Sequence, residues 1–108
     1  MLYELRVYDL VYDNRFGMHD KFENYTVPIF KKHGFRMIGF WETMIGANYP
    51  QLTYILQWKD LAERQQKFTA FFADPEWLEA CRIMDPKGPY IEKIHSSIMF
   101  PTKYSPLQ

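Results

Sequence analysis

Apolar residues in this chain switch between two spacings, every second position and every third or fourth, and the switches mark out its elements. Leu2 to Leu10 alternates, with Tyr3, Leu5 and Val7 on one face and Glu4, Arg6 and Tyr8 on the other, as a half-buried strand requires. Helical spacing follows from about Arg15 to His33, with Phe22, Tyr25 and Ile29 on the inner stripe beside Phe30 or Val27, and with Asp13 and Asn14 as N-cap candidates. Gly17 weakens its first turn. Pro28 lacks a donor and disfavours helical geometry at Val27, so the pattern predicts a kink or a helix in two pieces. Lys31, Lys32 and His33 then place positive charge at the helix end, and Gly34 takes the left-handed turn that costs any other residue roughly 1–2 kcal/mol.

From Phe35 the period returns to two. A second strand is expected from Arg36 to Met44 or Ile45, a turn at Gly46 to Pro50, and a third strand from Leu52 to Lys59, the two strands forming an antiparallel hairpin. Asp60 with Glu63 resembles a capping box, followed by Leu61, Arg64, Phe68, Phe71 and Phe72 at helical spacing. Asp74-Pro75-Glu76 repeats the start signal for a short helix carrying Trp77, Leu78, Cys81 and Met84, and Pro86, Gly88 and Pro89 end it. Tyr90 to Phe100 alternates as a fourth strand. The order βαββαβ is that of an α+β, ferredoxin-like fold: a four-stranded antiparallel sheet with helices on one face. Its other face carries enough apolar side chains to require cover, most simply from an identical chain about a two-fold axis, so a homodimer is expected.

Composition narrows the function classes. Lys plus Arg and Asp plus Glu are equal at 13 each, so no net field draws the chain to nucleic acid or an anionic membrane. The N-terminal stretch carries Glu4, Arg6 and Asp9, which excludes a signal peptide or a spanning segment there, so a cytoplasmic protein is expected and the triplet Asn24-Tyr25-Thr26 reads as a chance glycosylation match. A single cysteine, Cys81, excludes an internal disulfide and a multi-cysteine metal site. Aromatic residues reach 19%, more than one small core easily covers, which points to a cavity or an interface.

Read together, Tyr3-Glu4-Leu5-Arg6 with Tyr8, Lys32-His33-Gly34-Phe35 leading to Gly39-Phe40-Trp41, Leu61-Ala62-Glu63-Arg64, Asp74-Pro75-Glu76-Trp77, and Pro101-Thr102 with Ser105-Pro106 resemble the NIPSNAP family. The resemblance spans nearly the whole chain as a single domain, 1–108. It implies a dimeric α/β barrel in which two sheets close around an interior cavity. It implies little chemistry, because the family's function is poorly defined; animal members are linked with mitochondria, vesicle trafficking and mitophagy signalling. This chain shows neither a mitochondrial presequence nor a second tandem domain, which favours a small bacterial-type relative. Wider barrel relatives include cofactor-free monooxygenases, isomerases and haem-degrading enzymes, an analogy at the level of the fold.

No phosphate-binding glycine loop, HExxH, CxxC or GxSxG is present. The candidate chemistry is a polar set that strand parity could aim into one cavity: Arg6, Tyr8 and His95 as catalytic candidates, with Glu4, Trp41, Thr43 and Ser97 lining it. Arg6 could hold a carboxylate or enolate, Tyr8 could donate a hydrogen bond, and His95 could move a proton near neutral pH. The plain alternative is that Glu4 and Arg6 pair with cross-strand partners and His95 faces an interface or solvent. His33 beside the glycine stop reads as helix-end stabilisation, and His19 with Glu23 as a solvated pair in place of a metal site. A lone histidine can ligate haem, but no motif here calls for it, and no metal or other cofactor is expected. Two functions are carried forward: a homodimer whose cavity takes a small apolar or aromatic molecule, as a cofactor-independent monooxygenase or isomerase, and a non-catalytic interaction module presenting an aromatic patch around Phe71, Phe72 and Trp77.

Overall fold

A computed structural model describes residues 1–108. Strand β1 (Leu2–Leu10) is followed by a 3-10 turn over Tyr12–Asn14, helix α1 (Arg15–Lys21), one π-helical segment over Phe22–Thr26, and helix α2 (Val27–Lys32). Strands β2 (Arg36–Glu42) and β3 (Gln51–Trp58), helices α3 (Leu61–Ala73) and α4 (Pro75–Met84) and strand β4 (Ile91–Met99) complete the chain. The strands form one antiparallel sheet in the order β2-β3-β1-β4. Helices cover one face, as the ferredoxin-like pattern requires. None of the helices is long and apolar enough to cross a membrane.

Local signals explain most boundaries. Gly34 has φ +73°, the left-handed turn expected after the Lys31–His33 helix end. The Asp60 carboxylate accepts from the Glu63 amide at 2.8 Å, and that of Asp74 from the Glu76 amide at 2.8 Å. Asp74 also receives Lys32 and His33 at 2.8 and 2.7 Å, which ties the end of α2 to the start of α4. These bonds, with Lys32 foremost, hold its carboxyl at about 2.

Two boundaries differ from expectation. Asn14 makes no side-chain cap; its amide instead donates to the Pro89 carbonyl at 2.9 Å, joining the first helix to the approach of β4. β2 stops at Glu42, and Met44 and Ile45 are almost fully exposed, so the apolar run outlasts the strand. As the Pro28 reading expects, the helix before Gly34 comes in two pieces, α1 and α2, joined by the wider π segment, whose shifted hydrogen bonds end just before the proline. Gly17 is required by a close approach: a Cβ there would lie 2.5 Å from the Tyr90 ring.

The core is aromatic. Phe30 stacks on Phe35 at 4.4 Å, Phe40 on Tyr54 at 5.0 Å, and Trp58, Phe68 and Phe71 close the far end of the layer between sheet and helices. Tyr54, Leu56 and Trp58 are essentially inaccessible. On the other face the chain segment after β4 turns back: the Tyr3 hydroxyl donates to the Gln108 carbonyl at 2.7 Å and shares a shallow recess with Ile55, Phe100 and Leu107.

Candidate functional site

Strand parity places Glu4, Arg6 and Tyr8 on the face that meets the helices, opposite Leu56, Tyr54 and Leu52 of β3 and Ile98, Ser96 and Ile94 of β4. An alternating strand has two faces, and its pattern alone does not say which one the helices take. Here the polar-looking face is inside, because its polar groups are hydrogen-bonded to partners from three other elements.

Glu4 is fully buried. Its carboxylate accepts from Trp58 Nε1 at 2.9 Å, Arg64 Nε and Nη2 at 2.7 and 3.0 Å, Ser96 Oγ at 2.7 Å and Arg6 Nη1 at 3.1 Å. Burial pushes its pKa up, but the hydrogen bonds from Arg64, Ser96 and Trp58 outweigh it and hold the group at about 2. Two guanidiniums share this one carboxylate, so the cluster carries a net positive charge. Arg6 lies beside it, donating from Nε to the Tyr54 hydroxyl at 2.8 Å and from Nη2 to the Tyr8 hydroxyl at 3.1 Å. The two phenols are 2.9 Å apart. Burial drives the Tyr54 phenol well above its ordinary pKa, so it stays protonated.

Beside this cluster lies a cavity of about 210 Å³ between the sheet and the helices. Phe22, Phe30, Phe68, Phe71 and Trp77 give it aromatic walls, and Arg6, Tyr8, Tyr54, Lys21 and Thr26 give it polar points. Phe72 and Ile94, each about half exposed, line it as well and place its mouth at the β4 edge. Lys21 is nearly buried, bonded to Asp85 at 3.1 Å and set over the Trp77 ring at 4.8 Å.

The other sequence candidates are elsewhere. His95 pairs with Val7 and Ser97 with Leu5, so both lie on the uncovered face, the thickness of the sheet away from Arg6. His95 is half exposed and hydrogen-bonded to Asp9 at 2.9 Å, which matches the plain alternative of a surface-facing histidine. Trp41 pairs with Thr53 on the same uncovered face, its indole lying over Gly39, where a Cβ would approach it to 2.7 Å. Thr43 lies past the end of β2, its amide bonded to the Gln51 carbonyl. The structure therefore joins Arg6, Tyr8 and Glu4 and separates them from His95, Trp41, Thr43 and Ser97. His19 bonds to Glu42 at 2.9 Å and not to Glu23. Phe71 and Trp77 belong to the cavity wall, which leaves Phe72 as the half-exposed member of the proposed patch.

Residues missed from sequence are Tyr54, Thr26, Trp58 and Arg64. Tyr54 and Trp58 could have been reached through cross-strand pairing with β1, since both alternate on the same face of β3 as Leu52 and Leu56. Nothing in the local pattern marks Thr26.

Fold and site together define a ferredoxin-like α+β domain with an aromatic cavity beside a buried cationic cluster. The chain belongs to the NIPSNAP family, whose pattern it matches over residues 3–106. A NIPSNAP-like domain protein from Burkholderia xenovorans, described as uncharacterised, is 28% identical with a TM-score of 0.83, over 97% of this chain and 88% of its own. A NIPSNAP family protein of unknown function from Agrobacterium tumefaciens is 28% identical with a TM-score of 0.86, over 100% and 94%. An antibiotic biosynthesis monooxygenase is 9% identical with a TM-score of 0.64, over 94% and 99%, a likeness of fold alone. Comparison with curated proteins returns no match.

Proposed function

We infer that this NIPSNAP-family protein binds a small aromatic or apolar molecule in the cavity between sheet and helices. The observation that carries the reading is the cavity itself, about 210 Å³ walled by rings in an otherwise close-packed core. That volume is below the roughly 300–1,000 Å³ of drug-sized sites, which restricts the ligand to about one or two rings. Binding fits the geometry better than proton-transfer catalysis. Glu4 is committed to five donated hydrogen bonds and is held at about 2, and His95 lies across the sheet, so neither serves as a base toward the cavity.

The uncovered face supports a second element of the reading, pairing with an identical chain. Leu5, Val7 and Thr53 lie there beside exposed Trp41, an apolar strip that a two-fold axis could bury against itself, while Ile55 and Met99 share a recess with the returning C-terminal segment.

Titration with toluene followed by amide NMR tests the cavity. Shifts should gather at Phe22, Phe30 and Trp77, and Ile94→Trp, which blocks the mouth, should weaken binding at least tenfold while leaving the melting temperature unchanged. Absence of saturable shifts in the parent protein with toluene and with benzoate alike would refute the reading.

A further inference from the structure

Several hydrogen-bonding groups around the cavity lack partners. Thr26 is almost completely buried, lines the cavity, and its Oγ1 has no hydrogen-bond partner. Buried hydroxyls are rarely left so, and this one sits in the π-helical segment, a local departure from helix geometry often found at functional sites. Tyr8 and Tyr54 each accept from Arg6, and only one of them can donate across the 2.9 Å between them. One phenolic hydrogen is therefore uncommitted. Arg6 Nη2 carries two hydrogens and bonds only the Tyr8 hydroxyl, so one N–H is uncommitted as well.

Charge points the same way. Glu4 is shared by Arg6 and Arg64, leaving one positive charge over, whereas Lys21 is matched by Asp85. Arg6 holds that excess beside the rings, where the low dielectric strengthens its attraction for an anion.

We propose that the ligand is a small aromatic or conjugated oxyanion, a carboxylate, phenolate or enolate, whose charged oxygen bonds Arg6 and the Tyr8–Tyr54 phenols and whose second oxygen bonds Thr26. Arg6 and the phenols select the charge. Thr26 sets specificity among oxyanions. This rests on the cavity reading above and goes beyond it by naming the ligand's chemistry.

The test compares toluene, benzylammonium, benzoate, and 3- and 4-hydroxybenzoate by NMR titration of the full chain and of Thr26→Val, Tyr8→Phe and Arg6→Lys. Benzoate should bind roughly 10–100-fold more tightly than toluene, since hydrogen bonds to a charged group are the strong ones, and benzylammonium should not bind. At least one hydroxybenzoate should gain a further factor of roughly 2–10 over benzoate, lost in Thr26→Val. Thr26→Val removes an unpaired buried hydroxyl at nearly constant volume, so its melting temperature should be unchanged or higher, which separates lost recognition from lost folding. Tyr8→Phe, which keeps the Glu4 cluster intact, should reduce the preference of benzoate over toluene even if Arg6→Lys fails to fold. Equal binding of toluene and benzoate would overturn the proposal while leaving the cavity reading standing. Failure of every probe would overturn both.

Discussion

Replacing Glu4 by Gln changes one oxygen for an NH2 at a site where five donors converge. The amide can accept at one atom only, and its own hydrogens meet guanidinium or indole hydrogens. Removing one partner of a buried ion pair costs roughly 3–5 kcal/mol. Arg64 is one-third exposed and can regain water, so the lower end of that range applies. The depressed carboxyl gives a magnitude of the same order. A fall from 4.5 to about 2 corresponds to roughly 2–3 kcal/mol of stability once the partial exposure of Arg64 is discounted. The sign follows from a depressed carboxyl: in the window between about pH 4.5 and 2 the unfolded chain binds the proton and the folded chain does not. The Glu4 contribution is thus complete above about pH 4.5 and is lost as pH falls toward 2. Urea unfolding at pH 7 should show Glu4→Gln weaker by about 3 kcal/mol, a drop in midpoint of roughly 1–3 M. Between pH 4.5 and 2.5 the substituted protein should lose stability less steeply than the parent, keeping the shares of Glu63 and Asp74, both also held at about 2, and of Asp9 and Glu79, lowered by their hydrogen bonds to Gln51 and Arg82. A loss under about 0.5 kcal/mol at pH 7, or identical acid slopes, would refute the claim that this carboxylate holds the two guanidiniums on the inner face.

Two further outcomes are expected. Gly34→Ala puts a Cβ on a residue at φ +73° and should cost roughly 1–2 kcal/mol in thermal or urea unfolding, with the fold retained. If the proposed pairing holds, the parent should scatter light as two copies and Trp41→Glu, which places a charge in the exposed apolar strip, as one; a parent mass of one copy would contradict the pairing, and an unchanged dimer mass would place it on another surface.

What the amino-acid order reveals depends on how local the signal is. Gly34, Asp60 and Asp74 act on amides within a few residues, so their stops and caps are legible directly. The alternation of Leu2–Leu10 is equally legible, and it correctly divides Glu4, Arg6 and Tyr8 from Leu5 and Val7. Which division faces the helices is not local. It depends on Arg64, 60 positions away, and on Trp58 and Ser96 arriving at the same carboxylate. Polar residues with their partners hidden look like a solvent or cavity face, and Tyr3, Leu5 and Val7 look like the core. The same error joins His95 and Ser97 to Arg6 across the sheet. Thr26 is invisible for a different reason: a threonine in a helix carries no mark of lacking a partner until its neighbours are placed around it.

A high-resolution crystal structure of the protein soaked in benzoate bears most directly on the central claim. The ring should lie among Phe22, Phe30 and Phe68 with its carboxylate against Arg6 and Tyr8. Side chains closing that space, or benzoate held only at the molecular surface, would contradict it.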